Sequence, residues 1–94
     1  MPRYLVERLF HVSIDEMPMA GRRSKEVVVN QFPEITWEHS HVVVDEEGAV
    51  KTYCVYAAPN EEIVRRHAVE LGLHDLLRVS EIAGGVGADD FPLD

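Results

Sequence analysis

The chain is short of most of the features that would declare a function. It has one cysteine, Cys54, so no internal disulfide can form. No apolar stretch approaches the roughly 18 residues that a membrane-spanning helix needs. The largest basic grouping is Arg22-Arg23-Ser24-Lys25, and nine basic residues against 17 acidic ones leave a net charge of −8. A phosphate backbone or an anionic membrane would meet no basic footprint, so nucleic acid and membrane are not expected partners. The glycines at 84, 85 and 87 do not join a strand to a helix, and Gly84-Gly85-Val86-Gly87 is therefore not a phosphate loop. The opening Met1-Pro2-Arg3-Tyr4-Leu5-Val6-Glu7 carries charge where a secretory leader would be apolar, so a cytoplasmic location is expected.

What remains is a single small domain with an ordinary core. The 94 residues are 46% hydrophobic and 28% charged, which is the composition of a folded globular chain. Residues 3–11 and 35–45 are rich in aromatic and β-branched side chains and read as strands. Glu46-Glu47-Gly48 turns the second of these into a third strand over 50–57. A helix lies between the first two, starting either from the capping box Ser13-x-x-Glu16 or near Met17 with Pro18 in its first turn. Its stripe is Met17, Ala20, Ser24, Val27, Val28 and Gln31, and Pro33 closes it. A second helix is capped by Asn60, carries the stripe Ile63, Val64, His67, Ala68 and Leu71, and stops at Gly72. Residues 77–83 form a last strand, so 1–83 is the expected domain and 84–94 a flexible tail. The order β-α-β-β-α-β is that of a ferredoxin-like α+β sandwich with a four-stranded antiparallel sheet.

In such a sandwich both helices cover one face of the sheet, and each strand divides with period two. The expected division puts Tyr4, Val6, Ser40, Val42, Tyr53, Val55 and Ile82 toward the helices. It leaves Leu5, Glu7, Leu9, Trp37, His39, His41, Thr52, Cys54, Tyr56, Val79 and Glu81 on the open face. So many apolar groups on one open face predict a homodimer, two sheets packed face to face in a dimeric α/β barrel.

Glu7, His39, Cys54 and Glu81 would then share an enclosed space. Two readings stand side by side: these groups satisfy one another across the dimer, or they line a metal or ligand pocket. His39-x-His41 sets two imidazoles on one side of a strand, roughly 7 Å apart along the backbone. Imidazole suits nickel, copper and zinc, and carboxylates from Glu7, Glu38 or Glu81 could complete a metal site made with His39 and His41. Trp37, Cys54, Tyr56 and His67 are further candidates for the pocket, His67 first of all as a packed core histidine. His11 and His74, near element ends, are expected to be solvated. A catalytic Cys54 is disfavoured, because a mid-strand thiol has no helix N-terminus to activate it and no evident oxyanion donor.

The segments Tyr4-Leu5-Val6-Glu7-Arg8, Trp37-Glu38-His39-Ser40-His41-Val42, Tyr53-Cys54-Val55-Tyr56-Ala57-Ala58-Pro59-Asn60-Glu61-Glu62 and Val79-Ser80-Glu81-Ile82 carry a family pattern. Its motifs, W-x-H-S and Y-C-V-Y-x-A-P-x-x-E, resemble those of a small bacterial domain family of unknown function whose described member binds nickel. The resemblance implies a ferredoxin-like fold, a homodimer and Ni²⁺ binding in sequestration or detoxification, without catalysis. It marks Glu7, Trp37, His39, Ser40, Cys54, Tyr56, His67 and Glu81 as pattern positions. His41 stands where an aromatic residue such as Tyr is commoner, and the glycine-rich tail has no counterpart in the pattern. The alternative to nickel binding is a small-molecule site or cofactor-independent enzyme in the space between sheets, with Glu7, His39 and Glu81 as acid–base groups.

Overall fold

A computed structural model describes residues 1–93; Asp94, the last residue of the expected tail, lies outside the described residues. The elements are β1 (Arg3–Phe10), a 3₁₀ turn (Ile14–Glu16), α1 (Met17–Gln31), β2 (Thr36–Val44), β3 (Val50–Ala57), α2 (Glu61–Leu71) and β4 (His74–Glu81). They form two helices and one antiparallel sheet of strand order β2-β3-β1-β4. The element order is the one expected.

Both starts considered for α1 are realised in succession. The Ser13 N–H and hydroxyl each donate to the Glu16 carboxylate at 3.0 Å, building the 3₁₀ turn, and α1 follows with Pro18 in its first turn. Ala20, Ser24, Val27 and Val28 are buried, so tertiary packing overrides the strand preference of Val27-Val28-Val29. Asn60 Oδ1 caps α2 by accepting from the Ile63 N–H at 3.0 Å, and Gly72 takes φ +64° just past the helix end.

The strand faces need correction. β1 behaves as expected, with Tyr4, Val6, Arg8 and Phe10 buried in alternation. In β3 the phase is the reverse of the expected one: Thr52, Cys54 and Tyr56 face the helices, and Tyr53 and Val55 face outward. The reason lies in the composition of β3, where every residue from Tyr53 to Ala58 is apolar or aromatic and alternation carries no signal. Pairing decides it, since Val6 lies opposite Cys54 and Tyr4 opposite Tyr56. In β2 the register slips between Trp37 and His39, a bulge at Glu38 that turns Trp37 to the helix side while His39 and His41 stay on the open face. A second irregularity, opposite Glu7 and Arg8, shifts β4, so Val79 is buried and Glu81 pairs with Tyr4 on the helix side. β4 also begins three residues early, at His74. His74 is not simply solvated: its Nδ1 lies 2.6 Å from the Gly72 carbonyl and its ring centroid 5.1 Å from that of Phe10.

The main core joins Tyr4, Val6, Cys54, Tyr56 and Val79 of the sheet to Val27, Val28 and Val64 of the helices. Edge strand β2 is poorly covered. Every residue in it except Ser40 is exposed, and Val42 and Val44 are 49% exposed.

Candidate functional site

The structure separates the side chains expected to share one pocket into two groups, one on each face of the sheet. On the open face, cross-strand pairing lays out rows. His41, Tyr53, Glu7 and Arg78 form one, and His39, Val55, Leu5 and Ser80 another. His39 and His41 are exposed, with ring centroids 4.6 Å apart and planes at 82°. The two imidazoles are therefore adjacent. Glu7 is two strands away from His41, about 9.5 Å at the usual interstrand spacing, and its carboxylate faces the Arg78 guanidinium at 3.8 Å. Glu38 is engaged too, in a two-pronged pair with Arg3 at 2.9 and 2.8 Å that holds its carboxyl below the usual range. Among the described residues no group of three or more His, Cys, Asp or Glu is placed to enclose a metal ion.

On the helix face Trp37, Cys54, Tyr56 and His67 gather about Arg8, a residue with no expected role, while Glu81 is exposed beside Tyr4 and joins neither group. Arg8 is 2% exposed, in the middle of the central strand. Its Nη1 donates to Tyr56 Oη at 2.9 Å and lies 3.5 Å from Cys54 Sγ, while Nη2 is 3.4 Å from His67 Nδ1. Its charge also stands over the Tyr56 ring, 5.1 Å from the centroid. An arginine only donates, so His67 Nδ1 must be the acceptor and the ring proton sits on Nε2, which faces Ser24 Oγ at 3.3 Å and the Ser24 carbonyl at 3.4 Å. Trp37 closes the outer side, donating from Nε1 to Ser40 Oγ at 2.8 Å and meeting Tyr56 edge to face. Trp37, Ser40, Cys54, Tyr56 and His67 thus belong to one assembly about Arg8, to which Glu7, His39 and His41 do not belong. The signal for Arg8 was present, since once Tyr4 and Val6 are placed inward, period two puts Arg8 inward as well.

Between α1 and the outer half of the sheet this assembly borders a cleft of about 630 Å³. Arg8, Cys54, Tyr56 and Thr52 lie toward its floor, Met17, Ala20 and Gly21 on the helix side, and Trp37 and Val42 toward the β2 edge.

Burial and the Arg8 charge together press the His67 pKa down from 6.5 to about 4, with desolvation the larger cause. The folded state therefore disfavours protonated His67, and its stabilising effect is complete above pH 6.5 and lost as pH falls toward 4. Half-buried His74 is shifted in the same direction, chiefly by desolvation. Glu16 and Glu38, whose pKa values are lowered, act only below their ordinary 4.5. Urea unfolding should lose about 2 kcal/mol between pH 7 and pH 5 through His67. His67→Gln, which can still accept from Arg8 and donate to Ser24, should remove most of that slope. A wild-type stability that is flat over this interval, or an unchanged slope in His67→Gln, contradicts a neutral buried His67.

A family model described as nickel responsive protein SCO4226-like matches residues 4–82. The chain belongs to this family. The match runs from the start of β1 to just past β4 and so takes in both faces of the sheet and the whole Arg8 assembly. Searches among curated proteins and among solved structures returned no match. Among the described residues of this family member, no helix is long and apolar enough to cross a membrane.

Proposed function

We propose that this protein binds Ni²⁺, without catalysing a reaction, through His39 and His41 on the open face of the sheet. The observation that carries the reading is the pair of exposed imidazoles at 4.6 Å. Imidazole nitrogen is a favourable donor for nickel, and copper or zinc are the competing ions on the same ligand chemistry. The family description adds its nickel-responsive character. Two imidazoles leave a first-row ion with open positions, to be filled by water or by groups brought from outside the chain.

A second copy is the natural source. The open face carries Leu5, Leu9, Val43, Tyr53, Val55 and Ala57 on neighbouring strands, an apolar area suited to packing against its like. The β-α-β-β-α-β order and sheet order fit the ferredoxin-like reading, and a face-to-face homodimer would turn the open face inward. Glu7, on that face, is the carboxylate we assign as an additional ligand across such an assembly; Glu81, turned to the helix side by the shift in β4, is not. Sequestration of nickel is the role that agrees with a small acidic protein carrying an exposed imidazole pair.

Isothermal titration of metal-free protein with Ni²⁺ tests the reading. Saturable uptake is expected, and His39→Ala and His41→Ala should each weaken it by at least about tenfold, or about 1.4 kcal/mol. Absence of uptake, or uptake indifferent to both substitutions, overturns the assignment.

A further inference from the structure

Arg8 presents a problem that the nickel reading does not touch. An arginine is a cation, this one is 2% exposed, and no carboxylate of the described residues forms a salt bridge with it. None of its partners, Tyr56 Oη, Cys54 Sγ and His67 Nδ1, is a carboxylate, and Cys54 itself donates to Thr52 Oγ1 at 3.5 Å. The Nε–H, buried as well, has no partner at all. A buried cation without an anion is costly, and a guanidinium edge with an idle N–H is the shape that takes a carboxylate. The same Arg8 borders the cleft beside α1, whose volume of about 630 Å³ falls in the range of small-molecule sites. The cleft walls are mostly apolar, and its outer rim exposes Trp37 and Val42.

We propose that this cleft binds a small organic acid, with the carboxylate on the Arg8 guanidinium and the apolar body along Met17, Trp37 and Val42. The charge supplies the anion preference. The apolar walls select an aliphatic or aromatic acid over an inorganic ion, because chloride or phosphate would leave them open to water. Entry is from the β2 edge, where no helix covers the sheet. Glu38 and His39 also border the cleft, at its β2 end, but the carboxylate is held by Arg8 and not by His39 or His41, so acid binding and nickel binding rest on different residues and can fail separately.

Trp37, the only tryptophan, reports on the cleft by its fluorescence. The full chain is titrated with octanoate and phenylacetate, with the corresponding amides, and with chloride and phosphate. Both carboxylates should change the Trp37 emission saturably and raise the thermal midpoint, and the amides should bind at least tenfold more weakly. Arg8→Met should abolish the preference for acid over amide. Since removing Arg8 could disturb the core, Gly21→Leu provides an independent test. Gly21 lines the cleft within α1, nothing lies within 4 Å of where its Cβ would stand, and leucine is a better helix former. Gly21→Leu should fold, keep its Ni²⁺ titration unchanged, and lose octanoate binding by at least tenfold. The proposal is overturned by equal binding of acids and amides, by a response to inorganic anions alone, by no saturable response at millimolar acid, or by undiminished binding in folded Gly21→Leu.

Discussion

Replacing Tyr56 with alanine is expected to cost roughly 3–5 kcal/mol of unfolding free energy, as truncation of a buried aromatic does. A domain of this length holds only about 5–15 kcal/mol, so the variant should be close to unfolded at room temperature. Tyr56 is wholly buried at the meeting point of three groups: its hydroxyl accepts from Arg8, its face lies below the Arg8 charge, and its ring contacts Trp37 and His67 edge to face. Tyr56→Phe separates the parts of this effect. It keeps the ring and its contacts but deprives Arg8 of its shortest hydrogen bond, at a cost of about 1–3 kcal/mol. Urea unfolding of the two variants should therefore give two well-separated midpoints below that of the parent protein. Equal losses would mean that the hydroxyl carries everything, and no loss in Tyr56→Phe would mean that Arg8 finds another partner.

The positions of these groups show which parts of the architecture were legible in the sequence. The helices were, because Asn60 and Gly72 punctuate α2 and because the small and apolar stripe of α1 has a single sensible face. β1 was, as a segment dense in aromatic and branched side chains that ends where the capping box begins. The phase of β3 was not, since Tyr53 and Val55 are as apolar as Cys54 and Tyr56 and only the pairing with β1 distinguishes them. Bulges are the other obstacle. The extra residue at Glu38 transfers Trp37 across the sheet without any glycine or proline to announce it, and the irregularity in β4 does the same for Val79 and Glu81. One consequence is that the motif Trp37-x-His39-Ser40 serves both faces, with Trp37 and Ser40 joined by a hydrogen bond above the cleft and His39 beside His41 on the opposite side. Residues close in the chain thus lie on two different faces of the sheet, and no reading by strict period two could separate them.

Association through the open face is the second large effect, and the corrected register changes how it is to be tested. Leu9, an obvious position for a charge, lies in a row between Lys51 and Asp75. Lys51, on the open face, would pair with an aspartate at position 9, softening its effect. Leu5 is the better position. Its row neighbours are Val55 and Ser80, neither of which can neutralise a carboxylate. If two open faces pack together, Leu5→Asp buries an unpaired charge from each copy in an apolar contact, at several kcal/mol per copy. Light scattering of the parent protein should give twice the 10.6 kDa chain mass, and Leu5→Asp should give the single-chain mass at the same concentration. Val69→Asp is the matching control, since Val69 is 80% exposed on α2, away from the sheet's open face, and the change should leave association intact. A parent protein of single-chain mass, or a Leu5→Asp variant that keeps the doubled mass, would remove the second copy as the source of the missing nickel ligands. His39 and His41 would then bind the ion with water alone, a weaker site whose affinity should no longer depend on protein concentration.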